Sequence, residues 1–194
     1  KFGFKNILTV PEQDTPDGNF PTVHSPNPEE PAALDLALQL AEKEGAELVM
    51  GTDPDSDRVG IAVRNLKGDL ELLNGNQTGS LLVYYLLRKW KENGKLDGKQ
   101  FVAKTIVTTN LIEEIAEKYQ VPCYNVLTGF KYIAELIKKL EGKKQFIGGG
   151  EESYGYLAGD FVRDKDAILS CALIAEMTAW AKDQGKSLYE LLID

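Results

Sequence analysis

Histidine and cysteine are scarce: His24, Cys123 and Cys171 are all the sequence holds of either type in 194 residues. Neither cysteine belongs to a C-x-x-C pair, which argues against a thiolate or imidazole zinc site and leaves two reduced, buried thiols as the expectation. No apolar run approaches the roughly 20 residues a membrane-spanning helix needs, and no leader is legible at the N-terminus, so the expected location is cytoplasmic. Positive charge is in deficit, with 22 Lys and Arg against 30 Asp and Glu, a net −8. That balance argues against nucleic acid or an anionic membrane as the main partner. A phosphate-bearing ligand stays open, because a few cations converging on one cleft decide that question. The chain opens Lys1-Phe2-Gly3-Phe4 without a methionine, so it is expected to be a cut piece of a longer polypeptide.

What the chain does have is a hydrophobic content of 43%, enough for a sizeable core, over a length that fits one or two domains at about 100–200 residues each. Asn6–Val10 reads as a short strand running into a connector, Pro11–Pro31, that holds six of the eight prolines. Asn27 followed by Pro28 predicts a helix start, with Glu29 and Glu30 in its first turn, an apolar stripe of Leu34, Leu38 and Ala41, and Gly45 as its stop. Leu48–Met50 reads as a buried strand. Gly60–Val63 and Leu70–Leu73 read as a hairpin turning at Asn65–Gly68.

A composition shift at Asn74-Gly75-Asn76 predicts a boundary between a domain over 1–73 and another over 74–194. In the second, helices are predicted over Gln77–Trp90, from the Asn110 cap to Tyr119, over Lys131–Leu140 and about Asp166–Lys182. Strands are predicted over Phe101–Val107, Val121–Val126 and Gln145–Ile147. Ser187-Leu188-Tyr189-Glu190 fits a capping box for a last helix. Alternating strands and helices imply an α/β fold: two successive α/β domains with mixed, largely parallel sheets flanked by helices. In such sheets ligands gather at the carboxyl ends of strands.

The sharpest feature follows the Leu48–Met50 strand. In Asp53-Pro54-Asp55-Ser56-Asp57-Arg58 three carboxylates alternate within one turn, where they repel one another unless a hard cation with a preference for oxygen ligands relieves them. An EF-hand is rejected, since positions 6 and 12 counted from Asp53 are Arg58 and Arg64 instead of Gly and Glu. A plain Asp-rich surface turn is the simpler alternative. Arg58 either neutralises the acids or reaches a phosphate oxygen with its guanidinium fork. The second feature, Gly148-Gly149-Gly150-Glu151-Glu152-Ser153-Tyr154-Gly155, combines glycines that allow close backbone approach with carboxylates and a hydroxyl suited to vicinal sugar hydroxyls. Its simpler reading is a solvent-facing turn. Lys104, Lys131, Arg163 and Lys165 fall near these loops in the predicted topology, and Lys131 and Lys165 lie close to helix N-termini that favour phosphate; each alone is more often a solvated surface charge. His24-Ser25-Pro26-Asn27 is set aside as a nucleophile motif, because it lies in the proline-rich connector.

Four motifs in order resemble those of the α-D-phosphohexomutases. Asp53–Arg58 is similar to the family's D-x-D-x-D-R metal loop and Gly150–Gly155 to its G-E-E-S-[FY]-G sugar loop. Thr128-Gly129-Phe130-Lys131 resembles its T-G-[FW]-K segment, and Arg163-Asp164-Lys165-Asp166 its R-x-K-D segment. The resemblance covers essentially the whole chain and is closest to the bacterial phosphoglucomutase branch. It implies most of the second and nearly all of the third of four family domains. The first domain, with the phosphoserine, and the fourth, which clamps phosphate, are then partners elsewhere in the same polypeptide. By resemblance, Asp53, Asp55 and Asp57 bind Mg²⁺. Arg58 contacts the reacting group, and Lys131 assists proton transfer or charge neutralisation. Glu151, Ser153, Lys104, Thr128, Gly129, Arg163 and Lys165 face the phosphosugar substrate. The implied reaction interconverts glucose 1-phosphate and glucose 6-phosphate through glucose 1,6-bisphosphate. Phosphomannomutase or phosphopentomutase is the nearest rival, and a Mg²⁺-dependent phosphatase or a sugar-phosphate-binding module a remoter one.

Overall fold

The computed structural model describes residues 3–194. In chain order the elements are α1 (Asp35–Glu44), β1 (Leu48–Thr52), β2 (Val59–Arg64), β3 (Leu70–Leu73), α2 (Gly75–Glu92), β4 (Gln100–Thr105), α3 (Leu111–Lys118), β5 (Cys123–Val126), α4 (Phe130–Leu140), β6 (Gln145–Gly150), β7 (Tyr156–Ala158), α5 (Ala167–Asp183) and α6 (Leu188–Ile193). They build two sheets, ordered β1-β2-β3 and β5-β4-β6-β7. The first is an antiparallel meander. In the second, β4 pairs parallel with β5 and β6, and β7 returns antiparallel along β6. The α/β class expected from the alternating pattern is therefore present, with the parallel pairing confined to the second sheet. Short connections make the first sheet antiparallel: the Asn65 side chain accepts from the Lys67 and Asp69 amides at 2.9 and 3.1 Å, closing a tight turn between β2 and β3.

The second sheet is buried on both faces. Along β4, Phe101 and Ala103 join Phe146, Leu157 and α4 residues Phe130, Ile133 and Ile137 on one side. Val102 joins Ile147 with Val83 and Leu87 of α2 and Ile112 and Ala116 of α3 on the other. This is the period-2 alternation of a strand between two helix layers. The two sheets are not separate in packing. Val59, Ile61, Val63 and Leu73 of the first sheet share one core with Leu81, Leu82 and Tyr85 of α2 and Ile174 and Met177 of α5. Asn74 starts α2 with a capping box, its side chain accepting from the Gln77 amide at 3.0 Å while Gln77 Oε1 accepts from the Asn74 amide at 2.9 Å. The predicted Ser187–Glu190 box is present at α6.

Several boundaries differ from expectation. Asn6–Val10 is not a strand: it pairs with none of the strands among the described residues, and Ile7 and Leu8 are 65% and 57% exposed. The first helix does not start at Pro28. Pro31 lacks an amide proton and in such a helix would clash with the Asn27 carbonyl, so a 3₁₀ turn, Pro31–Leu34, leads into α1 instead. Gly45 does close α1, in the left-handed conformation. Leu48–Met50 lies in an edge strand in which only Val49 is fully buried. β4 ends at Thr105, leaving Ile106 and Val107 exposed. β7, three residues long, is too short to carry a periodicity signal in the sequence. Asn110 occupies the cap position of α3 without bonding it; its side chain accepts from Lys104 Nζ at 3.4 Å.

The triple glycine also has a different purpose from the one its sequence suggests. Gly148, Gly149 and Gly150 lie inside β6, and a Cβ at Gly149 would overlap the Ala103 carbonyl of the neighbouring strand. They serve close strand packing. Gly149→Ala should lower unfolding free energy by about 3 kcal/mol in urea denaturation, the upper range for overpacking, whereas Gly18→Ala, with open space around it, should stay within about 0.5 kcal/mol. Burial pushes the free thiols of Cys123 and Cys171 up to about 11. Native-state alkylation at pH 8 should accordingly run on the order of 100-fold slower than for an ordinary exposed thiol and accelerate on unfolding.

Candidate functional site

The Asp-rich turn connects antiparallel neighbours β1 and β2 and is closed by its own first acid. Asp53, 3% exposed, accepts through Oδ1 from the Asp57 and Arg58 amides at 3.0 Å each, and through Oδ2 from Arg58 Nε at 2.8 Å. Arg58 in turn reaches Glu29 Oε1 at 2.8 Å and Asn27 Oδ1 at 3.1 Å through Nη1. The connector thereby packs onto the turn. Ser56 takes a left-handed backbone, φ 58°, at the turn's tip. The result brings carboxylate oxygens of Asp53, Asp55 and Asp57 within 4.8 Å of one another. Asp53 is buried, Asp57 half-buried and Asp55 exposed.

Electrostatics divides the three acids. Burial pushes the Asp53 carboxyl up, but the Arg58 amide and guanidinium and the Asp57 contacts outweigh it and hold the group below the usual carboxylate range. Asp57 moves the other way: burial and the neighbouring Asp53 charge raise it, although Lys165 Nζ sits 2.8 Å from Oδ2. An all-oxygen set of three carboxylates fits a hard cation such as Mg²⁺ and is a poor match for soft metals.

The glutamate loop is the turn between β6 and β7. Its backbone closes through the Glu151 amide donating to the Gly155 carbonyl at 2.9 Å, with Tyr154 at φ 67°. Glu151 is 6% exposed, and Oε1 accepts from the Gly129 amide at 3.0 Å; burial raises its carboxyl above the usual range. Ser153 is half-buried beside it.

The two loops lie together. Arg58 and Gly155 form an isolated antiparallel bridge, and the Val59 amide donates to the Tyr154 carbonyl at 3.1 Å. The Ala167 amide at the start of α5 donates to the Ser56 carbonyl at 3.0 Å. Lys165 spans both loops, packing its aliphatic stem on Gly155, placing its ammonium 5.5 Å from the Phe130 ring centroid and pairing with Asp57.

Of the residues singled out in the sequence, Asp53, Asp55, Asp57, Arg58, Glu151, Ser153, Gly129 and Lys165 thus come to one rim. Thr128 and Lys131 are exposed next to Gly129, with Lys131 Nζ 5.0 Å from the Tyr132 ring centroid. Two cations are placed differently from a cleft-lining expectation. Lys104 is 1% exposed, its ammonium donating to the Thr108 carbonyl at 3.2 Å and lying 3.7 Å from Glu113. Arg163 turns to Glu141 and to the Asp160 carbonyl, both at 3.0 Å. Sequence reasoning missed Asn27 and Glu29 as braces of Arg58, because they lie about thirty residues away and no spacing signal links them.

The fold and site define a class: an α/β chain that sets a cluster of three carboxylates against a glutamate–serine turn. Comparison with known proteins narrows it. The family described as phosphoglucomutase/phosphomannomutase, alpha/beta/alpha domain III, matches residues 74–194, and its domain II matches residues 1–68. A phosphoglucomutase of Staphylococcus haemolyticus is 42% identical over 189 residues, which is 97% of this chain and 34% of that protein. One from Staphylococcus aureus is 40% identical over the same share of each. Among solved structures, a putative phosphomannomutase from Thermus thermophilus aligns with TM-score 0.68 at 27% identity, covering 87% of this chain and 34% of that one. A family protein from Burkholderia thailandensis gives TM-score 0.69 at 21% identity, over 91% of this chain and 34% of its own, and speaks to the fold alone. The chain belongs to the phosphoglucomutase/phosphomannomutase family, a family of metal-dependent enzymes, and spans about a third of the length of the curated relatives it matches. No helix among the described residues is long and apolar enough to cross a membrane.

Removing Arg58 leaves a buried carboxylate without its partner. Because the Arg58 side chain is itself 30% exposed, Arg58→Ala should cost about 2 kcal/mol in chemical denaturation, below the full penalty for a wholly buried pair. Arg163→Ala, which loses a surface pair with Glu141 and an exposed hydrogen bond to the Asp160 carbonyl, should cost no more than about 0.5 kcal/mol. Asp53 titrates below its ordinary value when folded, so the wild-type contribution is present above about pH 4 and lost as pH falls through the folded value. The gap between wild type and Arg58→Ala should close in that acid window.

Proposed function

We propose that the full-length protein is a phosphoglucomutase interconverting glucose 1-phosphate and glucose 6-phosphate, and that this chain supplies its cation loop and sugar grip. The observation that carries the reading is the meeting of the two loops through the Arg58–Gly155 bridge and the Lys165–Asp57 pair. Two supporting facts are the 40–42% identity to curated phosphoglucomutases and the oxygen-only acid trio. The boundary between the two units is proposed at 73/74, supported by the Asn74 capping box that begins α2.

In this reading Asp53, Asp55 and Asp57 hold Mg²⁺, which when bound neutralises charge on a transferring phosphoryl group. Asp53 is already fixed by Arg58 and two amides, so the loop is shaped before any ligand arrives. Asp55, exposed and free of side-chain hydrogen bonds among the described residues, is the carboxylate most open to an incoming cation. Glu151 and Ser153 hold sugar hydroxyls, and Gly129 orients Glu151 for that purpose. Lys165 and Lys131 bring positive charge to the phosphate. The phosphoserine lies elsewhere in the polypeptide. The sugar bisphosphate turns over between two transfers, with the same glutamate and serine gripping it in both orientations.

Asp55→Asn in the full-length protein should lower kcat about 100-fold or more, a loss comparable to deleting one charge-stabilising group from an active site. Its thermal midpoint should be nearly unchanged, since Asp55 is exposed. Unaltered turnover would mean the acid trio is a surface turn. Assay of glucose, mannose and ribose 1-phosphates side by side distinguishes the sugar. The similarity to a putative phosphomannomutase makes mannose the second candidate, and preference for it would replace the glucose assignment.

A further inference from the structure

Glu152 stands between the two residues assigned to the sugar and has no part in that assignment. Its carboxylate is already engaged. Oε2 lies 3.1 Å from the Thr105 hydroxyl and 3.0 Å from the Thr108 hydroxyl. The two hydroxyls are 2.7 Å from each other, and the Glu152 amide donates back to Thr108 Oγ at 3.2 Å. Both threonines are inaccessible, at 0% and 4% exposure. A carboxylate is acceptor-only, so it serves as the terminal acceptor for two hydroxyl protons shared across three oxygens. Such charge-assisted bonds are stronger than neutral ones, and they matter more where water is excluded.

The placement gives this cluster leverage over the loop. Thr105 ends β4 and Thr108 sits in the turn that follows; the Thr108 carbonyl accepts from the buried Lys104 ammonium at 3.2 Å. On the other flank, the Glu152 carbonyl packs against Gly75 at the start of α2, so closely that a Cβ there would overlap it. One residue earlier, Glu151 is tied to Gly129 in the turn before α4. The glutamate loop is thereby stitched to two different strand ends, through Glu151 on one side and Glu152 on the other.

We propose that Glu152 is a positioning residue: clamped by Thr105 and Thr108, it sets where Glu151 and Ser153 meet the substrate without itself touching it. This rests on the reading that Glu151 and Ser153 hold the sugar. A threonine pair and an adjacent carboxylate form a rigid anchor at β4, and a grip residue displaced by about 1 Å is enough to cost on the order of 100-fold in turnover efficiency.

The test compares Glu152→Ala, Glu152→Gln, the double variant Thr105→Val/Thr108→Val and the combined triple in the full-length protein. Glu152→Ala and the threonine double should each raise KM for glucose 1-phosphate about tenfold with a smaller change in kcat, the pattern of lost substrate binding. The triple should be no worse than either, because all three residues act as one unit. Glu152→Gln should recover most of the loss, since its amide oxygen still accepts from a hydroxyl. Amide hydrogen exchange at Glu152 should speed up in the threonine double, and Mg²⁺ affinity should be unmoved in every variant, since the Asp loop is untouched. Additive losses, an unchanged KM in Glu152→Ala, or a Gln variant as damaged as the Ala variant would overturn the clamp. Wild-type protein without sugar-phosphate turnover would instead sink the mutase reading, and the clamp's role with it.

Discussion

The contact on which the site depends is the one between Asp53 and Arg58. A carboxylate 3% exposed is stable in its charged form only if its lone pairs are filled, and here two backbone amides and a guanidinium fill them. That single arrangement curls the turn, draws three acids together and aims Arg58 across Glu29 and Asn27. Arg58 then stands opposite Gly155, and the next amide, Val59, donates to the Tyr154 carbonyl at 3.1 Å, which holds the glutamate loop alongside. The first sheet and the second are then held to each other at their functional ends as well as through the shared core of β2, β3, α2 and α5.

Charge is handled economically at this rim. Three acids face two cations, Arg58 and Lys165, and the three carboxylates differ in environment: one buried and hydrogen-bonded, one half-buried against an ammonium, one open. Such graded exposure lets a preformed turn remain ready for a hard cation while its core stays satisfied. The chain's overall negative charge is thus compatible with a phosphate-bearing ligand, because the cations that matter are local. Lys104 shows the opposite use of positive charge. Buried under the β4–α3 turn, it supports the backbone of Thr108, and the Thr108 hydroxyl in turn holds Glu152.

Much of this was legible in the residues themselves. Alternating Asp after an apolar strand, a Gly-Glu-Glu-Ser run after another, and the ordered T-G-F-K and R-D-K-D segments carried the family and the two loops. Helices with a clear apolar stripe, such as α3 and α4, emerged with nearly correct limits, as did the hairpin around Asn65 and the Ser187 capping box. These are local signals, set by side-chain period and by short-range hydrogen bonding. The glycine run misled for a related reason: a close-approach residue has the same sequence appearance whether a ligand or a neighbouring strand approaches it.

Local chemistry by itself determined which elements form, where α6 and the β2–β3 turn begin, and which acids stand in one turn, because those depend on residues a few positions apart. Tertiary structure alone decided that the acid turn and the glutamate turn share a rim, that Asn27 and Glu29 brace Arg58, that Lys104 and Arg163 turn to Thr108 and Glu141, and that Asn6–Val10 stays unpaired. Each of those outcomes depends on what lies across space from a residue: a partner strand, a desolvated carboxylate, a carbonyl at the next strand end. Burial and pairing are properties of the assembled layers, and no spacing along the chain encodes them.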